Sequence, residues 1–222
     1  VFTTIEIGQM KADLEEWALT YRWNVDWQGQ REKDLWPILR IVRGCSNVLW
    51  EREQEAQRNK EELTESEKAV IGAHFVNMIS GIGRLCYRSN TGMIPVCPYF
   101  LEDDIPDEKQ ATGGSGKSVI VKLVVGSAVN VLDVDMKRME KIADARFVLG
   151  KVLSEPFKYR VLHWEDKQKC FPMKYFYNMV TSGLTVEMKS VDQETIPLKD
   201  APKNVITCNY PLSDDDDSTV GR

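Results

Sequence analysis

The sequence predicts an α/β protein, a sheet core carrying a glycine-rich loop, preceded by a helical subdomain. Three observations predict it. Apolar residues recur at helical spacing through the first ninety or so positions, short apolar runs alternate with helical stretches beyond Asn90, and Ala111-Thr112-Gly113-Gly114-Ser115-Gly116-Lys117-Ser118 sits between two of those runs. Strand-like and helix-like segments in alternation are the pattern of a largely parallel sheet covered by helices.

The helical part runs from Gly8 to about Asn90 and holds five of the six tryptophans: Trp17, Trp23, Trp27, Trp36 and Trp50. Residues 10–23 place Leu14, Trp17, Ala18 and Tyr21 at helical spacing, and residues 34–42 and 48–63 follow as helices. Thr64-Glu65-Ser66-Glu67 is a capping signal, and residues 69–85 repeat apolar side chains at Ile71, Phe75, Met78, Ile79 and Ile82. The aromatic positions read as core, so no chemistry is assigned to them.

In the core, residues 93–101 form a first strand, weakened early by Pro95 and Pro98. Residues 119–125 form the helix behind the glycine-rich loop. Residues 130–135 are a second strand, 137–149 a helix, 159–164 a third strand and 173–180 a helix. Residues 185–189 and 195–197 are the arms of a hairpin, and 204–208 close the set as a strand. The expected division is therefore 1–90, a helical subdomain serving as an oligomerisation collar, and 91–222, the core.

The 222 residues carry a net charge of −5, with acid concentrated at Asp214-Asp215-Asp216-Asp217 and Glu102-Asp103-Asp104. A summed charge hides local patches, so it neither supports nor excludes a nucleic-acid partner. No apolar run approaches the roughly 18 to 20 residues that span a bilayer, and no basic segment leads into an apolar one at the start. A cytoplasmic protein without a membrane partner is expected. Cys45, Cys86, Cys97, Cys170 and Cys208 form no Cys-x-x-Cys pair and have only His74 and His163 beside them, so they read as reduced thiols. The chain opens on Val1 and closes on Arg222 directly after a glycine, which suggests an excised domain truncated at its C-terminus.

Residues 111–118 match a phosphate-binding loop with Ala in place of the first Gly. Such a loop turns backbone N–H groups inward around a phosphate and needs glycine where a Cβ blocks close approach or φ is positive. Gly113, Gly114, Ser115 and Gly116 supply the cradle, Lys117 bridges the β- and γ-phosphates, and Ser118 ligates Mg²⁺. The following helix adds partial positive charge at its N-terminus. Hydrolysis also needs carboxylates at a strand end. Two pairs compete: Glu165-Asp166, which ends the third strand and is favoured, and Asp133 with Asp135 on the second. Asn209 ends the last strand, where an amide can bond a γ-phosphate or its water without adding charge; it also suits a turn before Tyr210-Pro211.

The ordered set of loop, acidic pair, hairpin, strand ending in Asn, then Arg resembles the superfamily 3 helicases, AAA+ ring motors of viruses, phages and mobile elements. It is closest to their primase-associated type. The resemblance covers residues 67–222. It implies a P-loop NTPase sheet core that hydrolyses ATP with Mg²⁺, in which Glu165 joins Ser118 on the metal, Asp166 orients water, and Asn209 is the sensor. Thr181-Ser182-Gly183 looks like the B′ segment leading to a hairpin whose Lys189 contacts DNA, although a solvated hairpin lysine fits equally. Arg222 falls where an arginine finger reaches a neighbouring subunit. The resemblance further implies a homo-oligomer, a hexameric ring, acting on single-stranded or fork DNA, with a primase or polymerase domain in the parent protein and a bacterial host. The acidic strand departs from the family pattern in carrying His163, Trp164 and Glu165. Two alternatives stand beside a helicase: an AAA+ assembly module with little unwinding, and a small-molecule kinase, which needs a basic lid and has no use for a terminal Asn.

Overall fold

A computed structural model of the chain describes residues 30–87, 90, 96–101, 116–137, 139, 145–167, 171, 173–188 and 191–210. Two compact units make up the chain, Val1–Ile82 and Gly83–Arg222. The helix expected over residues 10–23 lies outside the described residues.

The first unit contains α1 (Gln30–Cys45), α2 (Trp50–Asn59) and most of α3 (Glu65–Cys86). Buried Glu53 holds the turn between α1 and α2: Arg43 Nη2 donates to its Oε1 at 2.8 Å and Asn47 Nδ2 to its Oε2 at 2.5 Å. Ala56, Leu63 and Ile71 form a small apolar cluster with Leu49 against it. The capping signal forms as expected. Glu67 N–H donates to Thr64 Oγ1 at 3.2 Å while Thr64 N–H donates to Glu67 Oε2 at 2.7 Å, and these bonds with Arg52 hold the Glu67 carboxyl down to about 2.

On length and composition α3 is long and apolar enough to cross a membrane, its most apolar 18-residue window reaching a mean hydropathy of 1.3. His74, Asn77 and Ser80 interrupt that window, so it contains no continuous apolar run of bilayer-spanning length.

The second unit is built on four parallel strands: β1 (Tyr99–Leu101), β2 (Val131–Asp135), β3 (Val161–Glu165) and, after a hairpin, β6 (Lys203–Cys208), in the order β1-β6-β3-β2. The central strands β6 and β3 are buried almost throughout, whereas the edge strand β2 alternates. That contrast follows from covering both faces of a parallel sheet. The first strand is shorter than expected. Residues 96–98 stay outside it, although Pro98, which lacks an N–H, still accepts the Ile206 N–H through its carbonyl at 3.0 Å.

The segment behind the glycine-rich loop is helical over residues 117–128: α4 starts as α-helix (Lys117–Val119), widens to a π-helix (Ile120–Val125) and ends as α-helix (Gly126–Ala128). Of the helix expected over 137–149, residues 138 and 140–144 lie outside the described residues, Lys137 is in a turn, and α5 (Arg146–Ser154) extends past the expected end. Next come α6 (Lys174–Thr181) and the antiparallel pair β4 (Gly183–Met188) and β5 (Val191–Pro197), irregular between Val186 and Met188.

The pleat separates two faces. Leu132, Val134, Leu162, Trp164 and Ile206 join Leu149, Val152, Phe176, Met179, Leu184 and Val186 in the main core, against α5, α6 and the hairpin. Trp164 is fully buried there; its Nε1 donates to Asn204 Oδ1 at 2.9 Å and its ring meets Phe176 edge-on at 5.1 Å. Asp133, His163, Glu165, Val205 and Thr207 alternate with these and turn to the opposite face. There the α4 side chain of Lys122 reaches Glu165.

Candidate functional site

Because the four strands are parallel, their carboxyl ends share one sheet edge. Leu101, Asp135, Glu165 and Cys208 end the strands there, with Asp135 opposite Glu165 and Leu101 opposite Cys208 in register. Asn209 follows β6, half-buried. The connection out of β1 passes over one face as α4, and those out of β2 and β3 pass over the other. In open parallel sheets ligands settle outside the carboxyl ends where connections part in this way.

Gly116 enters α4 at φ +83°, a left-handed conformation that glycine adopts without strain, and Lys117 and Ser118 follow half-buried in the first turn. Gly113, Gly114 and Ser115, with Lys189 and Arg222, lie outside the described residues.

The two competing acid pairs do not lie at separate places, because β2 and β3 are neighbours with their acids at the same edge. Their environments differ. Glu165 faces α4, and Lys122 Nζ donates to both its carboxylate oxygens at 2.7 Å. That hydrogen bond raises the Lys122 ammonium above the ordinary lysine range. Asp166 sits in the left-handed region at φ 54°, which turns the chain off the end of β3, and its Oδ2 pairs with Lys137 Nζ at 2.9 Å. Asp residues tolerate this conformation better than most, and such positions gather at functional sites. Beyond the turn, Lys167 N–H donates to Thr207 O at 3.3 Å and Cys208 Sγ–H to Lys167 O at 3.0 Å, tying the exits of β3 and β6.

One layer below the edge, Asp133 of the second acid pair belongs to a group whose other members, His163 and Thr207, the sequence did not join to it. His163, fully buried, spans three strands: Nδ1 lies 2.6 Å from Asp133 Oδ1 on β2 and Nε2 lies 2.9 Å from Thr207 Oγ1 on β6. Asp133, His163 and Glu165 present ligand atoms within 4.8 Å of one another, a mixed imidazole and carboxylate set. Lys122 supplies the cationic charge against Glu165. Lys122 and the linkage of His163 to Asp133 and Thr207 are the features missed from sequence. The available signal was parity: Asp133, His163 and Thr207 each precede a singled-out edge residue, Asp135, Glu165 or Asn209, by two positions and so share a face with it along a strand.

No family model matches the chain, and neither the curated proteins nor the solved structures contain a match to it.

Proposed function

We propose that this chain is the P-loop ATPase core of a DNA-translocating motor of the superfamily 3 helicase type, from a viral, phage or mobile-element replication protein. One observation carries the proposal. Lys122, one turn beyond Gly116, Lys117 and Ser118 on α4, bonds both carboxylate oxygens of Glu165 at the strand edge where Asp166 and Asn209 follow β3 and β6, which supports one crevice for all of them. A phosphate loop, an acidic strand end and an amide on the strand between them are the parts that nucleotide hydrolysis needs within one crevice.

In this reading the loop amides and Lys117 hold the β- and γ-phosphates, Asp166 orients the attacking water and Asn209 meets the γ-phosphate. The donor set suits a hard divalent cation: the Ser118 hydroxyl and the Glu165 carboxylate offer oxygen, and Glu165 already faces a cation in Lys122. When bound, Mg²⁺ neutralises phosphate charge. Arg222 from a neighbouring subunit and Lys189 on nucleic-acid phosphates complete the proposal, with residues 1–90 as the collar of a ring.

The test is ATP turnover with and without single-stranded DNA. Lys117→Ala is expected to abolish turnover, and Asp166→Asn to keep ATP binding while losing it. Stimulation by DNA that Lys189→Ala removes favours a motor; turnover indifferent to DNA favours an assembly module. Unchanged hydrolysis in Lys117→Ala refutes the site.

A further inference from the structure

We infer that Thr207, His163 and Asp133 form a positioning relay that sets the spacing of the strand ends bearing Asn209, Glu165 and Asp135; the inference rests on the nucleotide site proposed above. The relay crosses three neighbouring strands, β6, β3 and β2, on the α4 face of the sheet. Each member precedes its edge residue by two positions, about 6 to 7 Å along a strand.

The chemistry of the three groups fixes their orientation. A carboxylate only accepts hydrogen bonds, so the Nδ1–H of His163 donates to Asp133, and Nε2 accepts the Thr207 hydroxyl in the neutral ring or donates to its oxygen in the imidazolium. Every polar atom of the buried ring is then satisfied, and each bond draws a different strand toward β3.

The backbone explains why this matters at Thr207. Regular pairing between β3 and β6 ends at Trp164 and Ile206, whereas β2 and β3 stay paired out to Asp135 and Glu165. Past Ile206, β6 stays paired with β1 at Phe100 and Leu101, while on the β3 side the hydroxyl bond to His163 and the Lys167 N–H to Thr207 O contact guide it as it approaches Asn209. Loss of the hydroxyl lets Asn209 drift from the acidic end of β3. Displacements below 1 Å in such a constellation cost rate rather than ground-state binding.

The test measures kcat, KM for ATP and melting temperature on the full chain. Thr207→Val, close to isosteric, is expected to lower kcat about ten-fold with KM within about two-fold, and Thr207→Ser to restore kcat to within about two-fold of the parent. Asp133→Leu, which removes the acceptor for the His163 Nδ1–H, is expected to show the same split. Because both act through His163, the double variant should fall no further than the worse single one. A merely structural group would move the melting temperature and leave kcat per folded molecule untouched. Unchanged kcat in Thr207→Val, a Ser variant as slow as Val, or losses that multiply in the double variant overturn the relay. If Thr207→Val fails to fold, Asp133→Leu at parental kcat does the same. A parent chain without ATP turnover, or Lys117→Ala turning over like the parent, overturns the nucleotide site and the relay with it.

Discussion

Replacing Trp164 with Phe tests which way each side of β3 faces. The indole is wholly buried and its N–H is bonded to Asn204 Oδ1, itself only 4% exposed. Phe removes the donor and leaves a buried amide oxygen unsatisfied, a cost of about 1 to 3 kcal/mol. The missing ring atoms leave a cavity of roughly 40 Å³, which at about 24 cal/mol per Å³ adds about 1 kcal/mol. Urea unfolding followed by far-ultraviolet circular dichroism should therefore show a loss of about 2 to 4 kcal/mol with the denaturant slope unchanged. Adding Asn204→Leu to the Phe variant should recover about 1 kcal/mol, because the orphaned acceptor is gone. A loss below about 1 kcal/mol, or two strictly additive losses, refutes the packing. It would refute the site as well: a one-residue slip of β3 sends Trp164 to the α4 face and Glu165 into the core.

Gly183 opens β4 at φ +129°, and a Cβ there would lie 2.2 Å from Ile196 O and 2.9 Å from Leu198 N. Gly183→Ala should lower the melting temperature by about 6 °C, from a cost of about 2 kcal/mol; a change within about a degree means the hairpin register is wrong. Burial pushes the Lys203 ammonium down to about 8 from the ordinary 10.5, with Arg84 and Arg160 adding to it. Between those values the unfolded chain binds more protons, so stability rises with pH, and below 8 the cost of the charge is fully present. Lys203→Met should thus be more stable than the parent at pH 7, with the difference shrinking from pH 8 to pH 10 in parallel urea titrations. A pH-independent difference rules this out.

What the sequence makes legible here is local. The strand at 131–135, the hairpin arms and the Thr64–Glu67 capping box follow from alternation and cap chemistry within a few residues. The α/β class follows from the order of such segments. The shortened β1 depends on pairing with the distant strand β6, which no local propensity encodes. The site divides in the same way. Gly116, Lys117 and Ser118 are recognisable as a motif, and Glu165, Asp166 and Asn209 as strand ends. His163 looked like a polar blemish on an apolar strand because its partners arrive from 30 residues upstream and 44 downstream. Lys122 belongs to a helix whose π turn no simple periodicity of 3.6 describes, and its carboxylate is 43 residues away.

The place of β6 between β1 and β3 also orders events in time. Among the described residues β1 borders only β6, a strand made about a hundred residues later, and the ties around that seam are equally remote: Asn90 Nδ2 to Ala201 O and Tyr99 OH to Tyr210 O each span 111 residues. A chain emerging from the ribosome can pair β2 with β3 early, yet β1 must wait, unpaired, until β6 is synthesised. Such late closure is slow and exposes strand edges meanwhile. The carboxyl edge that bears Glu165 and Asn209 is therefore complete only once β6 is in place.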